Sequence, residues 1–242
     1  MMKSLSYPLL GLLILAGLTL PTQGRQFTSN DGRTLEADVV SVTKESAIIK
    51  RGARQFTLPL TSLSKADQEY LAAWREEALK NKIPKIEVAI NTGKSNRADR
   101  NDGYDDRLGS FKFSIAIENE EMHYSLENGK AVLVVVGESC EGKDRYCVMQ
   151  KTDFKVALED GGTFEWQGDE VAYKFDDREP STWGYQYYGY LFQLQNSAGK
   201  VIFQKVLPSK LEHGVDKILA LKNRAAFDKS FKSTGTASIY SQ

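Results

Sequence analysis

The stretch that most constrains the fold is Arg25 to Leu71, RQFTSNDGRTLEADVVSVTKESAIIKRGARQFTLPLTSLSKADQEYL. Turn signals cut it into short β-type runs, and a capped helix start closes it. Asn30-Asp31-Gly32 marks the first turn, because these residues tolerate positive φ at little cost. Leu35, Ala37, Val39 and Ser41 then alternate with Glu36, Asp38 and Val40, the period of two of a strand with one sheltered face. Ala47-Ile48-Ile49-Lys50 is a second β-branched run, Arg51-Gly52-Ala53 turns the chain, and Gln55-Phe56-Thr57-Leu58 is a third strand. Pro59 lacks an amide hydrogen, so this strand ends there or lies at an edge. Ser64-Lys65-Ala66-Asp67 is a variant capping box, with Asp67 where Glu or Gln is commoner. Leu71, Trp74 and Ala78 follow at helical spacing, with Leu63 just ahead of the cap. Short strands plus one helix predict a compact barrel-like unit over residues 25–80. The stretch holds no His, no Cys and no Gly-rich phosphate loop, which points to a binding module.

The same residues resemble the SLA1 homology domain 1 (SHD1) family, in the form found in secreted bacterial proteins. The likeness covers about residues 25–75 and rests on several short pieces in order. They are Arg25-x-Phe27-Thr28, Asp31-Gly32-Arg33, Glu36-Ala37, Phe56-Thr57-Leu58-Pro59-Leu60 and Leu63-Ser64-x-x-Asp67-Gln68-x-Tyr70-Leu71. Phe27 stands where the family usually has Trp. The resemblance implies an SH3-like β-barrel with a C-terminal helix, and peptide binding. In eukaryotic members the ligand is a short Asn-Pro-Phe-type sorting peptide.

The first residues read as a targeting segment. Lys3 supplies a basic start, Pro8 to Leu20 is apolar, and Thr22-Gln23-Gly24 ends with small residues suited to cleavage. The apolar run is short for a membrane span, so residues 1–24 are expected to be a cleaved signal peptide and the protein periplasmic or extracellular. Membrane contact is then limited to that peptide before cleavage. Export bears on Cys140 and Cys147, which flank Glu-Gly-Lys-Asp-Arg-Tyr. A strand-turn-strand sets such positions opposite each other, and an oxidising compartment predicts a hairpin disulfide. Free thiols are the alternative. A metal site would need more ligands nearby, and the only histidines are His123 and His213.

Asn81-Lys82-Ile83-Pro84 ends the helix and opens a second domain over residues 84–232, because Pro84 disfavours helix at Ile83. Ile86–Ile90 and Phe111–Ile117 alternate, and Ala131–Val136 is continuously apolar, as in a strand buried on both faces. Asp153–Leu158, Val171–Phe175, Tyr185–Gln195 and Val201–Val206 continue the series, with turns at Glu127–Lys130, Glu159–Gly162 and Asn196–Gly199. Such a set of about eight or nine strands predicts an antiparallel β-sandwich. Ser209–Lys222 reads as a helix, and residues 233–242 as a flexible tail. The 242 residues suffice for two domains, and a formal net charge of zero offers no field to recruit nucleic acid or anionic membrane.

Three constellations are candidate sites. Phe27, Arg33, Lys50, Arg51 and Arg54 suggest a peptide groove beside a basic hairpin tip. Trp183, Tyr185, Tyr187, Tyr188 and Tyr190 lie in one aromatic run and suggest an alternative surface for a sugar ring or peptide anchor. In an ideal strand, Tyr185, Tyr187 and Phe192 do not all share a face. Asp99–Asp106 is rich in hard oxygen ligands, but its spacing fails the EF-hand pattern. Nucleophile-elbow and zinc-helix patterns are missing, so the chain reads as a mainly β, non-catalytic adaptor that needs no cofactor. Its expected partner is a protein or peptide of the cell envelope. The alternatives are a carbohydrate-binding module and an enzyme acting on envelope polymers.

Overall fold

The computed structural model describes residues 24–98 and 106–239. The expected signal peptide, save Gly24, lies outside the described residues, as do all of the acidic loop except Asp106 and the last three residues. Two compact units are present, Met1–Trp74 and Arg75–Gln242. The chain is mainly β, its sheets are antiparallel, and none closes into a barrel.

In the first unit, β1 (Arg25–Thr28), β2 (Thr34–Val42), β3 (Ser46–Arg51) and β4 (Arg54–Pro59) form a meander paired in that order. The β3–β4 connection is Gly52-Ala53, and Gly52 takes the positive φ of 58° that so short a loop requires. A 3-10 turn, Leu60–Ser62, then leads to helix α1 (Lys65–Asn81). The core is Phe27, Ala37, Val42, Ala47, Ile49, Leu63 and Leu71. Ser41 was expected on the sheltered face, but Val42 takes that place. The register slips between Val39 and Ser41, leaving Val40 as an extra, 43% exposed residue, and the slip turns Val42 inward. The four strands expected to make a barrel-like unit form an open sheet among the described residues. Pro59 ends β4 and the chain turns into 3-10 helix, so an isolated bridge, Ser29 with Leu63, is what links the two ends.

A buried carboxylate joins β1 to α1. Asp67 is 4% exposed and accepts bonds from the Thr28 amide (2.8 Å), the Ser64 hydroxyl (2.8 Å) and Arg25 Nε and Nη2 (3.2 and 3.1 Å). The Ser64 hydroxyl in turn accepts the Asp67 amide at 3.3 Å, which completes the helix start. In a Ser-x-x-Glu box the acid bonds back to the cap residue's own amide. The shorter Asp67 bonds the amide of the neighbouring strand instead.

The second unit takes in the last turns of α1. It continues with β5 (Ile86–Ala98), β6 (Arg107–Asn119), β7 (Leu126–Ser139), β8 (Arg145–Leu158), β9 (Thr163–Gln167) and β10 (Val171–Phe175). After these come β11 (Tyr185–Gln195), β12 (Val201–Leu207), α2 (Val215–Ala220), β13 (Ala225–Asp228) and β14 (Ser233–Thr236). One sheet is ordered β10-β6-β5, with β9 also on β6; the other is β12-β11-β7-β8-β13-β14. Phe111, Phe113, Ile115 and Ile117 of β6 share one apolar cluster with Leu133 and Val135 of β7 and Tyr190 and Phe192 of β11. The arrangement is sandwich-like. On the far face of the larger sheet, Val134, Val136 and Leu191 pack with Leu211, Val215 and Ile218. This second covering layer accounts for the unbroken apolar run in β7.

Three expectations are corrected here. The helix expected over Ser209–Lys222 is a 3-10 turn, Ser209–Gly214, followed by the six-residue α2. Gly214 lies so close to the Phe231 ring that a Cβ would stand 2.2 Å from it. Ser233–Thr236 is a strand rather than tail; its side chains are exposed, and backbone pairing to β13 needs no apolar pattern. The cysteines are free thiols. The β7–β8 register sets Cys147 across from Gly137, three positions short of Cys140, whose amide instead donates to Gly184 O at 3.0 Å. Burial pushes the Cys140 thiol up to about 11 and Cys147 up to about 12, so both stay protonated at neutral pH.

The division between units falls inside α1 rather than at residues 81–84. The helix's last carbonyls explain this. Buried Asn196, in the β11–β12 turn, donates to Lys80 O (3.0 Å) and Leu79 O (3.4 Å), and Lys200 Nζ donates to Asn81 O (2.6 Å). A helix end has orphan carbonyls, and here the second unit supplies their donors.

Burial works to raise the Asp67 pKa, but the bonds from Thr28, Ser64 and Arg25 outweigh it and hold the carboxyl below its ordinary value. A depressed folded pKa gives stability that is complete above about pH 4, where the unfolded carboxyl ionises, and that is lost as pH falls through the folded value. Asp67→Asn is expected to cost about 2 kcal/mol at neutral pH and to shrink the acid-side loss of stability. Urea unfolding as a function of pH measures both, and an acid limb identical to wild type would remove Asp67 from this role.

Candidate functional site

A groove of about 590 Å³ lies on the first unit, lined by Arg25, Ala37, Asp38, Val39, Val40, Lys50, Gln55, Tyr70 and Trp74. Tyr70 and Trp74 are one helical turn apart on α1, so they share a face, and both pack partly on the core. The Arg25 guanidinium lies 3.8 Å from the centre of the Tyr70 ring while bonding Asp67. The Phe27 ring stands 6.3 Å from Tyr70. Asp67 thereby fixes Arg25, and Arg25 fixes the aromatic wall. On the other side, Lys50 pairs with Asp38 in one register and with Gln55 in the next, which sets the three in a row across the sheet. Beyond them Arg51 and Arg54 face each other at the hairpin tip, both exposed. Neither they nor Lys50 has an ion-pair partner among the described residues. Like charges directly opposite repel, so the tip concentrates positive charge.

Of the residues singled out from sequence, the structure puts Lys50 in the groove's lining and Arg51 and Arg54 outside it, at the adjoining hairpin tip. It sends Phe27 and Arg33 elsewhere. Phe27 is 1% exposed and belongs to the core. Arg33 lies at the opposite end of β2, where its Nε donates to Asp31 Oδ2 at 2.8 Å. That bond, with one from the Ser29 hydroxyl, holds the Asp31 carboxyl well below the usual range. Sequence reasoning missed Arg25, Tyr70 and Trp74 as groove residues. Trp74 entered only as part of the helical spacing with Leu71 and Ala78, and Tyr70 only as part of a family motif, although both carry polar tips suited to a half-exposed wall.

The aromatic run of the second unit does not form one platform. Tyr187 and Gly189 pair with consecutive residues Gly137 and Val136, so Tyr188 is an extra residue in β11. Gly189 is required there, since a Cβ would lie 2.0 Å from Leu207 O. The slip puts Tyr185, Tyr187, Tyr190 and Phe192 on the shared core face, against the ideal alternation, and turns Tyr188 to the other face beside Tyr146. Burial pushes the Tyr187 hydroxyl up to about 12. Trp183 and Tyr185 still reach a cleft of about 540 Å³, with Glu141, Lys174, Gly184 and Thr236–Ser238. Lys174 Nζ lies 3.0 Å from the buried carboxylate of Asp106, the one member of the acidic loop among the described residues.

No group of three or more His, Cys, Asp or Glu is placed to hold a metal ion among the described residues. His123 is exposed, 3.7 Å from Asp160, and His213 lies in the 3-10 turn before α2. No helix among the described residues is long and apolar enough to cross a membrane. No family model matches the chain, and no curated protein does. Among solved structures, a crystal structure from Akkermansia muciniphila aligns with 53% of this chain and 73% of its own, at 9% identity and a TM-score of 0.24. A likeness that weak carries no argument.

These placements separate packing residues from surface residues. Phe27→Ala is expected to cost about 3–5 kcal/mol, as for other buried aromatics. Arg33→Ala should stay within about 0.5 kcal/mol, because its partner is an exposed neighbour in the same turn. Chemical denaturation of the two variants checks the pair; a mild Phe27→Ala would put the ring back at the surface.

Proposed function

We propose that the first unit is a non-catalytic peptide-binding module, acting as an adaptor for an extended segment of an exported protein. The observation that carries this reading is the groove, which joins an aromatic wall, Tyr70 and Trp74, to Lys50, with Arg51 and Arg54 following at the adjoining hairpin tip, all three without ion-pair partners among the described residues. Aromatic anchors and an uncompensated charge are the common means by which a shallow groove holds a peptide. An SH3-like, SHD1-type arrangement is supported by the four-strand meander over a small core, followed by a 3-10 turn and helix. Export is supported by the composition of residues 1–24. The basic tip calls for an acidic residue in the ligand. Arg51→Glu combined with Arg54→Glu is therefore expected to weaken capture of partners from native envelope extract at least tenfold, with the unfolding midpoint of the unit unchanged. Equal recovery by the variant and the wild type would sink this reading.

The cleft beside Trp183 and Tyr185 favours a second reading, in which the second unit holds a sugar ring against these aromatics with Glu141 and Lys174 at its rim. Trp183→Ala in the full chain, assayed on a glycan array, separates the two. Glycan signals that survive the substitution, or that never appear, exclude this cleft.

A further inference from the structure

We propose that the free edge of β5 pairs with the same edge of a second copy, antiparallel about a two-fold axis at Thr92. The smaller sheets of the two second units then join into one. This inference does not rest on the peptide-binding reading. β5 ends the β10-β6-β5 order, and its outer edge has no partner among the described residues. It runs for thirteen residues, Ile86–Ala98, about 43 Å at ~3.3 Å per residue. The other strands at sheet ends in this unit are short: β9 and β10 have five residues each, β12 seven and β14 four.

An open edge is a template for another chain, and proteins blunt such edges with proline, bulges or inward charges. β5 has no proline, and its register with β6 has no slip along its whole length. Its one inward charge, Lys94, holds its ammonium 4.8 Å from the centre of the Tyr187 ring of its own unit. Gly93 takes no positive φ, and a Cβ there would stand 3.8 Å from Lys112 O, an ordinary contact. Nothing among the described residues calls for glycine at that place. A glycine inside a strand often marks the close approach of another backbone.

Backbone parity shows which groups are free. Lys85 O accepts the Glu120 amide, so the odd-numbered residues of β5 direct their polar groups to β6. Phe113, across from Thr92, gives its carbonyl to the Gly168 amide on the other side of β6, which agrees. The even-numbered residues, from Ile86 to Ala98, therefore present amides and carbonyls at the free edge. An antiparallel partner must set even residues against even ones.

Two requirements then select the same register. Full overlap of Ile86–Ala98 with itself centres on Thr92. That register also places Glu87 of one copy across from Arg97 of the other, and symmetry repeats the pair at the far end. Both side chains lie on the outer face and are exposed, and neither has an ion-pair partner among the described residues. Lys85, two residues before Glu87, is held by Glu120 at 2.9 Å. Between the charged ends, Ala89 meets Ser95 and Asn91 meets Gly93, small enough to pass without clash. On the inner face Ile90 meets the aliphatic stem of Lys94, and Thr92 meets itself, a favourable cross-strand pair. A shift of two residues one way sets Arg97 against Lys85 instead.

The test uses the full chain. Sedimentation over a range of protein concentrations is expected to show a monomer–dimer equilibrium. The Val88, Ile90, Thr92 and Lys94 amides should gain protection from hydrogen exchange as the dimer forms. Glu87→Arg and Arg97→Glu each set like charges across both ends of the pair, and each should weaken self-association about tenfold or more. Mixed in equal amounts, the two variants restore opposite charges at both ends, so the mixture should dimerise as the wild type does. A chain still monomeric at about 1 mM overturns the proposal. A dimer indifferent to both reversals is built on another surface and overturns it as well, as does a mixture that fails to recover. Full protection of these amides at every concentration also overturns it, because the chain then covers its own edge.

Discussion

A single extra residue in a strand reverses the face that every later side chain meets, and both units are organised around such a slip. In β2 the extra residue is Val40; in β11 it is Tyr188. The first brings Val42 into the core. The second draws Tyr185, Tyr187, Tyr190 and Phe192 onto one face and leaves Tyr188 to pack on the other. Remove either slip and the apolar pattern of the strand fails to match its core. The candidate groove and the candidate cleft both stand next to these irregularities, which fits the role of bulges in re-aiming side chains near functional surfaces.

The Asp67 carboxylate plays a related part on a smaller scale. It satisfies an amide of β1, a hydroxyl at the helix start and a guanidinium, and so fixes the helix against the sheet at one point. The Arg25 charge is already matched by Asp67. Its contribution to the groove is to hold the Tyr70 ring, while unpaired positive charge sits on Lys50 in the lining and on Arg51 and Arg54 at the adjoining tip. Structural and ligand-facing cations are thus separated by position, although the sequence shows them only as residues of one type.

Much of the fold was legible because the signals were local. The turns at Asp31-Gly32 and at Gly52-Ala53, the stop at Pro59 and the capped start at Ser64 all lie where the residue chemistry requires them. The two-sided burial of Ala131–Val136 was legible for the same reason. What could not be read depended on register. Counting residues between Cys140 and Cys147 suggested a bridge, but the pairing frame of β7 and β8 moved Cys147 opposite Gly137. Alternation assigned Ser41 inward and split the tyrosines, because nothing in Val39-Val40 or Tyr187-Tyr188 announces a bulge. Ser233–Thr236 has no apolar pattern at all and becomes a strand through its partner. Phe27 and Arg33 were assigned to a groove by proximity in a motif, and tertiary packing sent one to the core and the other to an intra-turn pair.

The pairing of Arg51 with Arg54 across the hairpin gives salt two opposite effects on the same residues. Mobile ions screen exposed charges beyond about 8–10 Å at physiological strength, and closer as salt rises. Added salt therefore relaxes the repulsion within the tip and firms the hairpin. It also weakens the long-range pull on an acidic ligand and slows encounter. The unit is driven toward greater rigidity and lower reach together, so ionic strength acts on it as a selector. Dilute media favour capture by charge, and concentrated media leave retention to the aromatic wall.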